Sequence, residues 1–458
     1  MDNNLTQDAV YDADTLGTPK KLILGVQHLF AMFGATVLVP ALTGLDMAAT
    51  LLFAGLGTLL FHLITGRKVP AFLGSSFAFL GGYFAITAAT SSYGVTGTEL
   101  LPYACFGVAC AGLVYLVVAA LFKVFGAKQV MRYFPPIVTG PMIISIGMSL
   151  AGTAIDSCKA NWWVALVAIV IVVVANIWGK GMVRIIPILL GVVGSYIFAM
   201  IVDPASRANL VQLVSEAPWF GFPIQYHNTV FSIFGRNFDG GLLVTAIITI
   251  VPISLATMME HVGDICAISS TVGKNFVEDP GLHRTLVGDG LATVVASLFG
   301  APANTTYGEN TGVLALSKVY DPKVVRLAAV FAIVLSFIPK FSALIVAMPT
   351  ATMGGVSLVL YGMISAVGVR NVVENQVDFT KSRNVLIAAM MLGLGIGMSY
   401  KGGISFAIGS VTITLSGLAM AALVGVIMNA VLPGKDYEFG ANAQGDTAVV
   451  NFGSHAKQ

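Results

Sequence analysis

Val69-Pro70-Ala71-Phe72-Leu73-Gly74-Ser75-Ser76-Phe77 and Ala301-Pro302-Ala303-Asn304-Thr305-Thr306-Tyr307-Gly308-Glu309 lie 232 residues apart in a chain of 458, each inside a long apolar stretch. Proline cannot donate to a helical ladder, and the hydroxyl residues that follow favour extended backbone over mid-helix. Each segment therefore predicts a short extended piece leading into a half-helix. Non-helical backbone at membrane depth survives only where protein buries it or where it lines a cavity, and there its free N–H groups and the half-helix dipole attract electronegative atoms. The same shift lays His28 on Glu260 and Phe77 on Glu309, and residues 135–140 and 349–354 share one internal spacing. Together the matches predict two homologous halves of about seven spans in opposite orientations, as in secondary transporters, with Phe77 and Glu309 meeting at the centre. The blander reading is that Gly and Pro here merely permit tight helix crossings.

Composition fixes the medium. Hydrophobic residues make up 56% and charged residues 10%, with mean hydropathy +0.86, whereas about a quarter of an average soluble domain is charged. The chain reads as an all-α polytopic membrane protein. Apolar stretches long enough to span ~30 Å of hydrocarbon recur about fourteen times, over 20–45, 48–66, 69–90, 101–122, 133–152, 162–179, 185–202, 241–269, 285–300, 302–317, 324–339, 341–367, 384–400 and 402–432. The short extended strands then fall in the third and tenth segments.

Lys and Arg should crowd the cytoplasmic loops. With the N-terminus inside, only Lys159, Arg207, Arg236, Lys340 and Lys401 of the 24 basic residues lie outside, so an even number of spans with both termini cytoplasmic is favoured. The acidic start, Asp2 to Asp14, lacks a basic n-region and reads as a tail rather than a signal peptide. The predicted organisation is a cytoplasmic tail over 1–17, a first seven-span repeat over 18–203, an extracellular or periplasmic loop over 204–240, a second repeat over 241–432 and a cytoplasmic tail over 433–458, in the inner or plasma membrane.

Several function classes drop out. Cys105, Cys110, Cys158 and Cys266 are scattered without metal spacing, and no Walker-type motif is present. The sequence predicts no enzyme, no cofactor and no ATP-driven pump, and a net charge of +2 gives no reason to expect nucleic acid.

Glu260, Asp264 and Glu309 nevertheless sit inside apolar spans. An ionised acid there costs several kcal/mol, on the order of about 3 by insertion scales, so it persists only when protonated, paired or facing a polar cavity. Glu260 and Asp264 are four apart on one helix face, where like charges repel and burial disfavours ionisation, so at least one should hold a proton near neutral pH. A carboxyl of that kind is a proton carrier. His28, matched to Glu260 in the other half, is placed to share that proton or hold its orientation, or else is a buried histidine bonding a carbonyl. Asp289 reads as facing an inner vestibule as readily as the site and is left out of it; His261 and His283 read as structural, and Tyr361 as gate lining or packing. Gly393, Gly395, Gly397, Gly402 and Gly403 leave a smooth surface where helices can slide or pack.

Five ordered motifs carry a resemblance over about residues 18–432: Gln27-His28-Leu29-Phe30-Ala31-Met32-Phe33-Gly34-Ala35-Thr36-Val37-Leu38-Val39-Pro40, Leu73-Gly74-Ser75-Ser76-Phe77-Ala78-Phe79, Glu260-His261-Val262-Gly263, Asp279-Pro280-Gly281-Leu282-His283-Arg284 and Asn304-Thr305-Thr306-Tyr307-Gly308-Glu309-Asn310. They closely resemble bacterial uracil permeases of the nucleobase-ascorbate transporter family. The resemblance implies fourteen spans in two inverted repeats of seven, a core domain and a gate domain drawn from both, and proton-coupled uracil import. The family signature appears as Glu309-Asn310-Thr311-Gly312 ending in Ser317-Lys318, with Ser317 in place of Thr, and Asp264 stands where some uracil permeases carry His.

Uracil is a flat neutral ring with N–H donors and carbonyl acceptors, so a selective site needs carboxylate acceptors, N–H donors and a planar apolar wall. Glu260 and Glu309 offer the first, backbone around Ser76, Phe77, Tyr307, Gly308 and Glu309 the second, and Phe77 the third; Gly308 also allows close approach. Proton coupling falls to Glu260, Asp264 and His28. The expected partners are uracil and membrane lipid, with a homodimer left open. A purine permease of the same family, a sodium-coupled carrier and a channel are the alternatives; the acid at Glu309 argues for uracil, and clustering of polar residues at one depth argues against a channel.

Overall fold

The two quoted segments pair with each other. In the computed structural model, which describes residues 9–234, 238–408, 411–435 and 437, strand β1 (Leu73–Ser75) lies antiparallel to β2 (Asn304–Thr306) with Leu73 opposite Thr306, Gly74 opposite Thr305 and Ser75 opposite Asn304. All six residues are buried. A ribbon this short leaves backbone groups that the ladder cannot satisfy, and unpaired polar groups are costly in an apolar interior. Neighbouring helices supply the partners. The Leu73 N–H donates to the Thr58 hydroxyl at 2.9 Å, the Ala303 N–H to the Tyr83 hydroxyl at 3.1 Å, the Thr293 hydroxyl to the Asn304 carbonyl at 2.9 Å, and the Asn304 amide to the Phe53 carbonyl at 3.0 Å.

Helices build everything around that ribbon. In chain order they are α1 (Thr18–Thr43), α2 (Met47–Ile64), α3 (Leu80–Thr87), α4 (Leu101–Phe125), α5 (Ala127–Met131), α6 (Pro136–Cys158), α7 (Trp162–Trp178), α8 (Met182–Ile185), α9 (Pro187–Val202) and α10 (Pro204–Glu216). There follow α11 (Gly240–Ile250), α12 (Ser254–Val272), α13 (Leu282–Leu298), α14 (Gly308–Ser317), α15 (Pro322–Ser336), α16 (Pro339–Val346), α17 (Thr350–Glu374), α18 (Ser382–Tyr400) and α19 (Gly417–Val431). Helix α13 packs on α2 and α4, and α15 on α1 and α2, while α17 runs along α6 and α7 and α18 along α6 and α19. Close approach beside the ribbon depends on Gly57: a Cβ there would stand 3.2 Å from the Ala292 Cβ and would run into the Asn304 amide.

The chain is a mostly helical, multi-pass membrane protein. Among the described residues, seven helical stretches are long and apolar enough to cross a bilayer alone; α9 with α10 and α15 with α16 form two further apolar pairs, bent by 112° and 88°. The stretches 69–90 and 302–317 divide into a strand and a short helix. The stretch 204–240 contains α10, which buries no residue.

One expected span is corrected. Over 402–432 a hairpin of β3 (Ile404–Ile408) and β4 (Val411–Leu415) precedes α19. The reason lies in the sequence: Ile404-Ser405-Phe406-Ala407-Ile408 and Val411-Thr412-Ile413-Thr414-Leu415 are rich in β-branched residues. Hydropathy alone does not see that pattern.

The tail is bound to the body. Val10 donates to the Lys318 carbonyl at 2.9 Å and accepts from the Tyr320 N–H at 2.8 Å, while the Tyr11 hydroxyl donates to the Val272 carbonyl at the end of α12 at 2.8 Å. The Ala13 N–H donates to Asp321 at 2.8 Å, and Asp14 pairs with Lys21 at 2.7 Å and with Lys323. Hydrogen bonds from Lys21 and then Lys323 pull the Asp14 carboxyl down to about 2. A carboxyl depressed on folding contributes above its ordinary value and is lost as pH falls through the depressed one. Exchange of the Val10 amide, corrected for intrinsic rate, is therefore expected to stay slow from pH 7 down to about 4. Lys323→Ala should speed it at neutral pH; equal exchange in both proteins would show that the ion pairs do not hold the tail.

Candidate functional site

Where β2 ends, Tyr307 is still extended (φ −109°, ψ 117°), and α14 starts at Gly308 with no side chain capping its first turn. The positive end of the helix dipole thus has no side-chain cap from the preceding strand, and the Glu309 carboxyl accepts from its own backbone N–H. Gly308 is exposed, and Glu309 follows it half-buried. Helix α12 brings Glu260 and Asp264 alongside, one helical turn apart and also half-buried. Asp264 accepts from the Thr306 hydroxyl at 3.0 Å, and a Cβ on Gly308 would lie 3.8 Å from its other oxygen. The Oε2 of Glu260 has no hydrogen-bond partner among the described residues. Each of these acids is within electrostatic reach of the other two.

Phe77 follows β1 as Glu309 follows β2. Because the strands are antiparallel, the two residues flank the ribbon from opposite ends. Phe77 is 7% exposed and meets Tyr361 of α17 edge to face, with ring centroids 5.6 Å apart. The Ser76 hydroxyl is buried without a partner among the described residues.

Tyr307 is occupied internally. Its N–H donates to the Phe72 carbonyl at 3.0 Å, its hydroxyl donates to the Ser75 carbonyl at 2.9 Å and lies 3.3 Å from the Thr36 hydroxyl, and a Cβ on Gly74 would stand 2.5 Å from its ring. Tyr307 thus locks the two strands and α1 together. His28 of α1 is buried; the Asn310 amide donates to its carbonyl at 3.0 Å and to its Nδ1 at 3.1 Å, which puts the ring proton on Nε2. His28 is thereby joined to the residue after Glu309.

Four residues that sequence reasoning left out of the site stand here: Asn310 and Thr306, quoted only within a motif, His261, read as structural, and Asp289, set aside as facing an inner vestibule. His261 is fully buried with its Nδ1 3.0 Å from Asp289 and 3.4 Å from the Thr306 hydroxyl. Asp289 obeyed the same rule that singled out the other acids, a carboxyl inside an apolar span. A separate cavity of about 450 Å³ opens between α7, α9, α10 and α17, lined by Asn161, Asp203, Ser206, Asn209 and Met348 among others. It contains none of the acids above, and Asn161 and Asp203 spend their oxygens capping α7 and α10.

Residues 19–404 match the permease family Xan_ur_permease. The chain belongs to that family. It is 41% identical over 435 residues to the uracil permease of Bacillus caldolyticus, covering 93% of this chain and 94% of that one. It is 38% identical over 425 residues to the uracil permease of Bacillus subtilis strain 168, covering 89% and 91%. Among solved structures, the transmembrane domain of a cyanobacterium bicarbonate transporter, BicA, superposes with TM-score 0.60 at 14% identity over 92% of this chain and 99% of that one, a likeness of fold. This permease is a transporter and not an enzyme.

Removing a hydroxyl that satisfies a buried carbonyl costs about 1–3 kcal/mol. Tyr307→Phe should lower the melting temperature of this permease in detergent accordingly, and so should Gly74→Ala, which pushes on the same ring. Acting on one contact, the two should fall short of additive when combined; full additivity would show that the Tyr307 lock is not a single unit.

Proposed function

We propose that this permease imports uracil by proton symport. The observation that carries the reading is the constellation at the start of α14: a helix N-terminus with no side-chain cap from Tyr307, and the carboxyls of Glu260 and Glu309 beside it. Donors and acceptors at one place suit a neutral ring that carries both, and the names of the relatives support uracil as that ring. Phe77 supplies the flat wall, backbone around Ser76, Phe77 and Tyr307 completes the floor, and Gly308 lets the ring approach the chain. Glu260 binds and couples, Asp264 carries or tunes the proton, and His28 takes part through Asn310.

The antiparallel ribbon is the contact expected of two inverted repeats, each contributing one strand. On this reading fourteen spans form repeats over 18–203 and 241–432, separated by an outer connection and flanked by cytoplasmic tails in the inner or plasma membrane. A core domain holding the ribbon and a gate domain including α6 and α17 alternate access, with the Phe77 and Tyr361 contact lying where they meet. The proton serves as the only coupling ion, no cofactor takes part, lipid surrounds the chain, and a homodimer is the assembly to test first.

Uracil should raise the melting temperature of the purified protein more than xanthine does, and Glu309→Gln, which trades an acceptor for a donor, should weaken uracil at least about tenfold. Uracil affinity should also change between about pH 5 and 8, because a ligand that prefers one protonation state must shift it. A larger shift with xanthine would replace the substrate, and pH-independent binding with sodium-driven uptake would replace the proton.

A further inference from the structure

Behind the half-buried acids lies a second polar unit that no part of the uptake scheme requires. His261 and Asp289 are both completely buried, on α12 and α13. The His261 Nδ1 lies 3.0 Å from the Asp289 Oδ2, and the Asp289 Oδ1 has no hydrogen-bond partner among the described residues. The His261 Nε2 is likewise unpartnered. Buried groups so poorly satisfied are expensive, and a histidine beside a carboxyl adds little stability over an apolar pair of equal volume.

What the pair touches gives it a use. The Thr306 hydroxyl stands between two acceptors, Asp264 at 3.0 Å and the His261 Nδ1 at 3.4 Å, and it has one proton to give. If Nδ1 carries hydrogen, it cannot accept from Thr306, and the Thr306 proton goes to Asp264. If Nδ1 is bare, it competes for that proton and Asp264 loses its donor. Asp289, as a carboxylate acceptor beside Nδ1, selects the first arrangement.

We propose that His261 and Asp289 are a positioning pair that directs the Thr306 hydroxyl onto Asp264 and so sets the protonation state of Asp264. The titratable groups facing the pair are Tyr115 on α4 and Glu260 and Asp264 on α12; Phe61 of α2 packs edge-on against His261. No proton need leave the pair: only the hydroxyl of Thr306 turns. The inference rests on reading Asp264 as the coupling carboxyl, but its test needs neither uracil nor transport, so the two can fail separately.

The test is an infrared titration of the purified, uracil-free protein, following the protonated-carboxyl band that disappears in Asp264→Asn. Thr306→Val should displace the pH interval of that band by about one unit, and Thr306→Ser, which keeps the hydroxyl, should restore it. Asp289→Asn should displace it too, and the displacement should shrink by at least half when Thr306→Val is already present. His261→Gln completes the same cycle should Asp289→Asn not fold. An Asp289→Asn displacement of equal size with and without the Thr306 hydroxyl would mean charge acting through space, and would overturn the proposal. An unmoved interval in Thr306→Val, or no Asp264 band between pH 5 and 9, would overturn it as well.

Discussion

Three residues of extended chain from each of two distant segments hold one another at the centre of the molecule, and every other feature of the site follows from that pairing. A strand inside an apolar body exposes N–H and C=O groups that must find partners. The ladder satisfies some of them. Thr58, Tyr83 and Thr293 satisfy others from three different helices, and the Tyr307 hydroxyl returns to the carbonyl of Ser75. The first turn of α14 has no side-chain cap, and neither has that of α3 after the other strand.

Charge is distributed by the same logic. Glu260, Asp264 and Glu309 are only half-buried, each retaining access to open space, whereas His261 and Asp289 are fully enclosed. Acids this close repel one another, so their occupancy by protons is a shared property. A neutral, hydrogen-bonding ring is compatible with such a cluster in a way that an anion is not, which separates this chain from the bicarbonate transporter with which it shares a fold. The fold supplies the ribbon and the two half-helices; the residues at their ends decide what is recognised.

Much of this was legible in the chain. The Pro-Ala segments announce extended backbone because proline removes a helical donor, and the structure has strands at Leu73–Ser75 and Asn304–Thr306. The acids announce themselves because hydrocarbon tolerates so few. What could not be read was which side chains complete the neighbourhood: that Asn310 reaches back across the fold to His28, that Tyr307 spends its hydroxyl on Ser75, and that Asp289 lies against His261. Each of those contacts joins elements far apart in sequence, and periodicity within one helix carries no information about them. The hairpin at Ile404–Ile408 and Val411–Leu415 was hidden for another reason, since a window wide enough to find a span averages over the shorter period of a strand.

The central claim is that ligand is held between the uncapped start of α14, the carboxyls of Glu260 and Glu309, and the ring of Phe77. A structure of the purified protein in lipid with uracil bound, determined by electron cryomicroscopy, addresses it most directly. The account predicts density for a flat ring against Phe77, with its N–H edge toward Glu260 and Glu309 and a carbonyl toward the N–H groups of Gly308 and Glu309. Uracil seated instead in the cavity lined by Asn161 and Asp203, or bound with both glutamates unengaged, would contradict it.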